Sequence, residues 1–253
     1  MKRERDTEDS KNVEDVEVPL QHSCPFLDTV DRSCLDFDFS KRCSVTLSPL
    51  HCYACLVCGR YFQGRGVSTP AFTHALEAGH RVFMSLRGGG RVFCLPDGYE
   101  VKDRSLDDVR FVLDPRYTTE EVLRLEEPGA KWARSLDGGD FLPGIVGLNN
   151  LHATDYAATV LQALMRVRPL RDALLLQRPA GGSVVNHVSE LVRKAFNPHA
   201  FRGHVSPHEL MQIISNVSGR RFRTDVQADP VEFLAWLLHT LHRYAPHYTS
   251  FLA

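Results

Sequence analysis

The 253-residue sequence has no cysteine beyond Cys94, and no window approaches the roughly 18–20 uninterrupted apolar residues of a membrane-spanning helix. No transmembrane helix and no membrane partner are therefore expected. The first residues lack the apolar stretch of a secretory signal. Neither sign of charge dominates, with 30 Lys and Arg against 31 Asp and Glu, which excludes a global field steering the chain to nucleic acid. Repeats of fixed period and low-complexity tracts are also missing. What is present is an ordinary globular composition, 43% hydrophobic and 24% charged, at a length that suits two domains.

Seven cysteines is an odd count, and three crowd together at Cys52, Cys55 and Cys58. That pattern argues for metal ligation or free thiols over a secreted disulfide framework. Cys55-Leu56-Val57-Cys58-Gly59 is a CxxC knuckle, in which two thiolates converge on one cation and the glycine relieves backbone crowding. His74 and His80 supply the other half, with Gly79 placed to break a helix between them. Two thiolates and two neutral imidazoles make a closed tetrahedral zinc site whose role is folding, because no position is left for a substrate water. A lone CxxC also suits a redox pair or core cysteines; the two histidines favour zinc. The overlapping Cys52-Tyr53-Ala54-Cys55 and the neighbouring His51 leave the register open on spacing alone. Cys24, Cys34, Cys43 and Cys94 read as buried small hydrophobes.

Charge and turn residues divide the chain. Residues 1–21 form a charged tail, with a net charge of −3 over residues 1–18 and almost nothing apolar to bury, and are expected to be disordered. Residues 22–127 read as a small α+β module. Within it, Arg81–Leu86 and Arg91–Leu95 flank Gly88-Gly89-Gly90 as a β-hairpin. Ser105 to Asp108 and Thr118 to Glu121 fit capping boxes opening two short helices. Residues 128–141 are dense in Gly and Pro and read as a linker. Residues 142–253 turn helical: Tyr156, Val160, Ala163, Leu164 and Val167 mark one buried face. Val231, Leu234, Leu237, Leu238 and Leu241 mark another, behind an Asp229 N-cap and Pro230.

The run from Tyr53 to Gly66, followed by His74 and His80, resembles the zinc finger of ubiquitin-specific proteases. The resemblance implies Cys55, Cys58, His74 and His80 as ligands of one structural Zn2+, and Arg60 and Tyr61 as positions that meet the ubiquitin tail in binding members. The tryptophan such members present has no counterpart; Val92 and Phe93 lie in that region. Gly147 to Tyr156 resembles the cysteine box that opens the family's catalytic domain, with Asp155 in the nucleophile's place and Asn150 at the oxyanion position. Gln227 to Leu234 resembles the family's Gln-rich box. The fold class implied is α+β: a zinc-binding finger followed by the mainly helical opening portion of a papain-like protease fold.

A carboxylate attacks an amide poorly and would form an anhydride in place of a thioester, so Asp155 implies a degenerate, non-enzymatic site. The family's catalytic histidine lies late in its fold, and Pro246-His247-Tyr248 comes too soon to supply it; residues 142–253 are thus expected to be an incomplete domain. Segments including Cys24–Asp28, Leu35–Phe39, Phe93–Asp97 and Leu142–Asn150 resemble the inactive branch of the family associated with the spliceosomal tri-snRNP. That resemblance implies a nuclear pre-mRNA splicing factor acting as a scaffold through tri-snRNP proteins. The alternatives are a ubiquitin-binding module or a thiol-dependent deubiquitinase. Ten basic residues between 156 and 223 give that stretch a net +7 and raise RNA contact as a further expectation, although they form no contiguous run.

Overall fold

A computed structural model describes residues 24–38, 40–125, 129, 131–177 and 183–244. The expected tail at 1–21 and His247 lie outside these residues. No helix among the described residues is long and apolar enough to cross a membrane.

The first half is built on a five-stranded sheet. Its strands are β1 (Cys52–Cys55), β2 (Tyr61–Gln63), β3 (Val82–Ser85), β4 (Val92–Cys94) and β5 (Glu100–Val101), in spatial order β2-β1-β3-β4-β5. The glycine turn joins β3 and β4 as the sequence predicts, with Phe83 opposite Phe93. Successive strand residues point to opposite faces, so an unbroken apolar run such as Val82-Phe83-Met84 needs cover on both sides. Helix α1 (Pro70–Glu77) covers one face, packing Ala71 and Ala75 near Phe62 and Phe83. The segment carrying Cys24, Leu35 and Phe37, with helix α2 (Asp107–Leu113), covers the other against Ala54, Val82 and Val92.

Helix α3 (Thr119–Arg124) opens with the expected capping box between Thr118 and Glu121. The one expected at Ser105 does not form. Asp103, two residues earlier, accepts from the Ser105 N–H and starts a short 3-10 turn, so α2 begins without a side-chain cap. The segment expected as a linker carries a small hairpin, β6 (Ala133–Arg134) and β7 (Asp140–Phe141).

The second half is helical: α4 (Asp155–Leu164), α5 (Arg168–Leu176), α6 (Ser183–Ala195), α7 (His208–Val217) and α8 (Pro230–Tyr244). A short parallel pair, β8 (Gly147–Leu148) with β9 (His204–Val205), carries the chain into α4. Asp229 caps α8 as expected, its Oδ1 accepting from Val231 and Glu232 N–H. The α4 face is centred one position off the expected stripe, on Tyr156, Ala157, Val160 and Leu161, leaving Ala163 exposed. Val231 is likewise exposed, and Phe233 takes the buried place. Tyr156, Phe222, Phe233 and Trp236 interlock as an aromatic cluster beneath α4.

The halves are fastened together. Phe201 inserts into the finger's core, Lys194 reaches Asp36, Arg202 donates to the Ser33 carbonyl, and Glu209 accepts from Ser40 N–H. Tyr117 and Val122, ahead of the hairpin, pack with the helical core.

Candidate metal centre and candidate nucleophile position

Cys55 ends β1 on the face that meets α1, and the chain turns back at once so that Gly59 N–H bonds the Cys55 carbonyl at 2.9 Å. Gly59 takes φ +72°, and a Cβ there would lie 2.4 Å from the Cys34 carbonyl oxygen, so only glycine fits. His74 lies on α1 between Phe62, stacked at 4.1 Å between ring centroids, and Phe83. Gly79 at φ +70° ends the helix and returns His80 to the same point.

The ligand atoms of Cys55, Cys58, His74 and His80 all lie within 4.8 Å of one another. Sγ of Cys55 is 3.5 Å from Nδ1 of His80, Sγ of Cys58 is 3.4 Å from Nε2 of His74, and the two nitrogens are 3.1 Å apart. Zinc bonds of about 2.3 Å to sulfur and 2.0–2.1 Å to nitrogen put the sulfur–nitrogen and nitrogen–nitrogen edges of a tetrahedron at about 3.6 Å and about 3.3 Å. The donor set and its spacing fit zinc. Burial pushes the Cys55 thiol up to about 12 and, with His80 and Arg60 nearby, holds His74 below its usual value. A thiol so placed ionises only opposite a cation, which a bound metal supplies.

The other cysteines stay out of this group. Cys52 faces the opposite side of the sheet, its thiol against the Ser48 carbonyl and away from the quartet. Cys24, Cys43 and Cys94 are buried as expected; Cys34 is half-buried, its thiol 3.0 Å from the Asp31 carbonyl.

Arg60, just ahead of β2, and Tyr61, its first residue, part company. Arg60 is exposed, whereas Tyr61 is buried, its hydroxyl accepting from Asp38 N–H and donating to the Asp36 carbonyl. Phe93 is buried too, with the Arg65 guanidinium 4.3 Å above its ring.

In the second half, β8 leads into a tight loop ahead of α4. Asn150 Oδ1 accepts from both N–H and Oγ1–H of buried Thr154, and Leu151 N–H donates to Thr154 Oγ1. This leaves the Asn150 amide NH2 as its donor end. His152 takes φ +85°, and Asp155 is the first residue of α4, exposed, with Oδ2 accepting from Gln227 Nε2 at 3.0 Å. A loop from 222 to 228 is latched over the box by Ala153 N–H to the Thr224 carbonyl and Tyr156 hydroxyl to the Arg223 carbonyl. Beside it lies a groove of about 740 Å³ lined by Asn150, His152, His208, Met211 and Thr224. The Gln227 contact was missed in the sequence, although the segment carrying it was marked.

Known proteins match this arrangement. A family described as "Zn-finger in ubiquitin-hydrolases and other protein" matches residues 41–106, and "Ubiquitin carboxyl-terminal hydrolase" matches residues 146–249. The chain thus carries a finger and a hydrolase domain of the kinds found in ubiquitin hydrolases. Human "Ubiquitin carboxyl-terminal hydrolase 39" is 45% identical over 249 residues, covering 94% of this chain and 44% of that protein. The Schizosaccharomyces pombe "Probable mRNA-splicing protein ubp10" is 42% identical, over 92% of this chain and 46% of its own. The structure titled "Crystal structure of an essential yeast splicing factor" superposes with a TM-score of 0.77 at 31% identity, over 90% of this chain and 57% of that one. The chain spans about half the length of the curated relatives it matches.

The basic stretch does not form one face. Arg171 and Arg193 are buried, Arg193 donating to the carbonyls of Leu174, Pro115 and Gln177. Lys194 and Arg202 clasp the finger, Arg221 and Arg223 pair with Glu232 and Asp225, and Arg178 lies outside the described residues.

Proposed function

We propose that this chain is a catalytically silent ubiquitin-protease homologue that serves as a protein scaffold in nuclear pre-mRNA splicing, in assembling or stabilising the tri-snRNP. Asp155 carries the reading. It stands at the nucleophile's place in the cysteine box, and its carboxylate is engaged by Gln227. A catalytic cysteine at a helix start gains from the dipole by ionising; an aspartate there keeps the dipole's stabilisation without a competent nucleophile. With no cysteine beyond Cys94, the helical half offers no thiol in its place. The likeness to yeast splicing proteins supports the biological setting. Cys55, Cys58, His74 and His80 would hold one zinc ion, whose contribution is to close the finger. Tail capture of ubiquitin through Arg60 and Tyr61 is disfavoured by the burial of Tyr61.

Two measurements test this. Depletion of the protein should lower tri-snRNP in nuclear extract, and an Asp155→Asn form should restore it; failure of that form would tie the role to the carboxylate. Titration with ubiquitin and with ubiquitin lacking its last two glycines should give the same absent or weak binding, and a clear preference for the intact tail would restore the binding-module reading.

A further inference from the structure

Outside the finger's quartet, one other group among the described residues brings metal-ligating side chains together. Asp38 follows the segment that covers the finger's sheet, and His208 and Glu209 open α7 in the helical half; one ligand atom from each lies within 4.8 Å of the others. Asp36 lies near the same imidazole, and all three acids favour positive charge on it. The histidine sets this group apart from the acidic clusters common on protein surfaces. A neutral imidazole is a directional nitrogen ligand that suits transition metals, whereas magnesium and calcium are held by oxygen.

Each side chain is held from behind. The Asp38 N–H donates to the Tyr61 hydroxyl at 2.9 Å and that hydroxyl donates to the Asp36 carbonyl, which fixes the backbone carrying the Asp38 carboxylate. His208 Nδ1 lies 3.3 Å from Ser206 Oγ. A bond from Nδ1–H to that hydroxyl leaves Nε2 without a proton, the form a metal requires. Ser40 N–H donates to Glu209 Oε1 at 2.9 Å, and a carboxylate so engaged keeps lone pairs for a metal.

Nε2 of His208 is 3.5 Å from Oδ1 of Asp38. Zinc bonds of about 2.0–2.1 Å to nitrogen and 2.0–2.2 Å to a carboxylate oxygen put that edge of a tetrahedron at about 3.3–3.5 Å, so this pair needs scarcely move. Both side chains are half-exposed, which lets an ion enter and a water complete its shell. Three protein ligands and a water make an open zinc site, in contrast to the closed quartet.

We propose that Asp38, His208 and Glu209 form a second transition-metal site, of the zinc class, that ties the finger to the helical half. It makes the stability of that joint depend on free metal. The site owes nothing to Asp155 or to a role in splicing, and it stands or falls separately from both.

The test is equilibrium dialysis of the complete chain, its quartet already loaded, against rising free zinc, with wild type, Asp38→Asn and His208→Gln compared. Wild type should take up a second ion per chain and melt at a higher temperature as it does so, whereas each variant should bind that ion at least about tenfold more weakly and show no such rise. Retention of the first ion will show that the finger of each variant is folded. Cobalt(II) separates the two sites, because only the quartet gives a thiolate charge-transfer band. One ion per wild-type chain at saturating zinc, or a second ion bound equally by wild type and both variants, would overturn the site. Magnesium or calcium bound there as tightly as zinc would overturn its class.

Discussion

Gly59→Ala is the sharpest single-residue test of the metal centre, since its Cβ would have to displace the Cys34 carbonyl while holding a left-handed φ. A loss of about 1–3 kcal/mol in stability and of zinc content is expected, read by thermal melting and metal analysis; unchanged metal content would mean the knuckle tolerates another turn. Asp155→Ala removes a first-turn acid and the bond to Gln227, so destabilisation near 0.5 kcal/mol is expected in denaturant unfolding. Two thiols and two imidazoles were legible as a candidate metal group, but spacing alone left Cys52 as an alternative, because which cysteine of the strand shares a face with the histidines is set by the fold. The burial of Tyr61 was not legible, because whether a strand residue faces in or out depends on register with Cys52–Cys55, which no local pattern contains.

Among the elements, α8 depends most clearly on its cap. Asp229 satisfies two of the N–H groups a helix start leaves open, so Asp229→Ala should cost about 1 kcal/mol, checked by chemical denaturation against Asp229→Asn, which should lose less. The hairpin β3-β4 and the Thr118 box were readable from sequence, being local devices with residues in fixed order. Ser105 misled for an equally local reason: Asp103 competes for the same N–H and wins by starting a 3-10 turn. The basic stretch misled by summation, since net charge counts Arg193, buried among carbonyls, as though it faced solvent.

Across the whole molecule, the fastening of finger to helical half was invisible in sequence. Its contacts join residues such as Phe201 and Leu35 that are far apart along the chain and carry no shared motif. One clasp titrates. Asp38 bonds His208 at 3.5 Å and, with Glu209 and Asp36 near, raises its pKa above the ordinary 6.5. A raised histidine pKa stabilises the fold fully below the unfolded value and loses that contribution as pH rises through the folded one. Wild type should therefore lose melting temperature relative to His208→Gln as pH climbs from below 6.5 through that raised value; parallel curves would remove the clasp. Zinc held by Cys55, Cys58, His74 and His80 would close the finger itself, and Cys58→Ala should then release the metal and melt the finger. The central claim is that Asp155 leaves the cysteine box silent. It is tested most directly by hydrolysis of a fluorogenic ubiquitin C-terminal amide by the complete protein and its Asp155→Asn form. Neither should exceed the blank, and turnover by the wild type that Asp155→Asn abolishes would contradict the account.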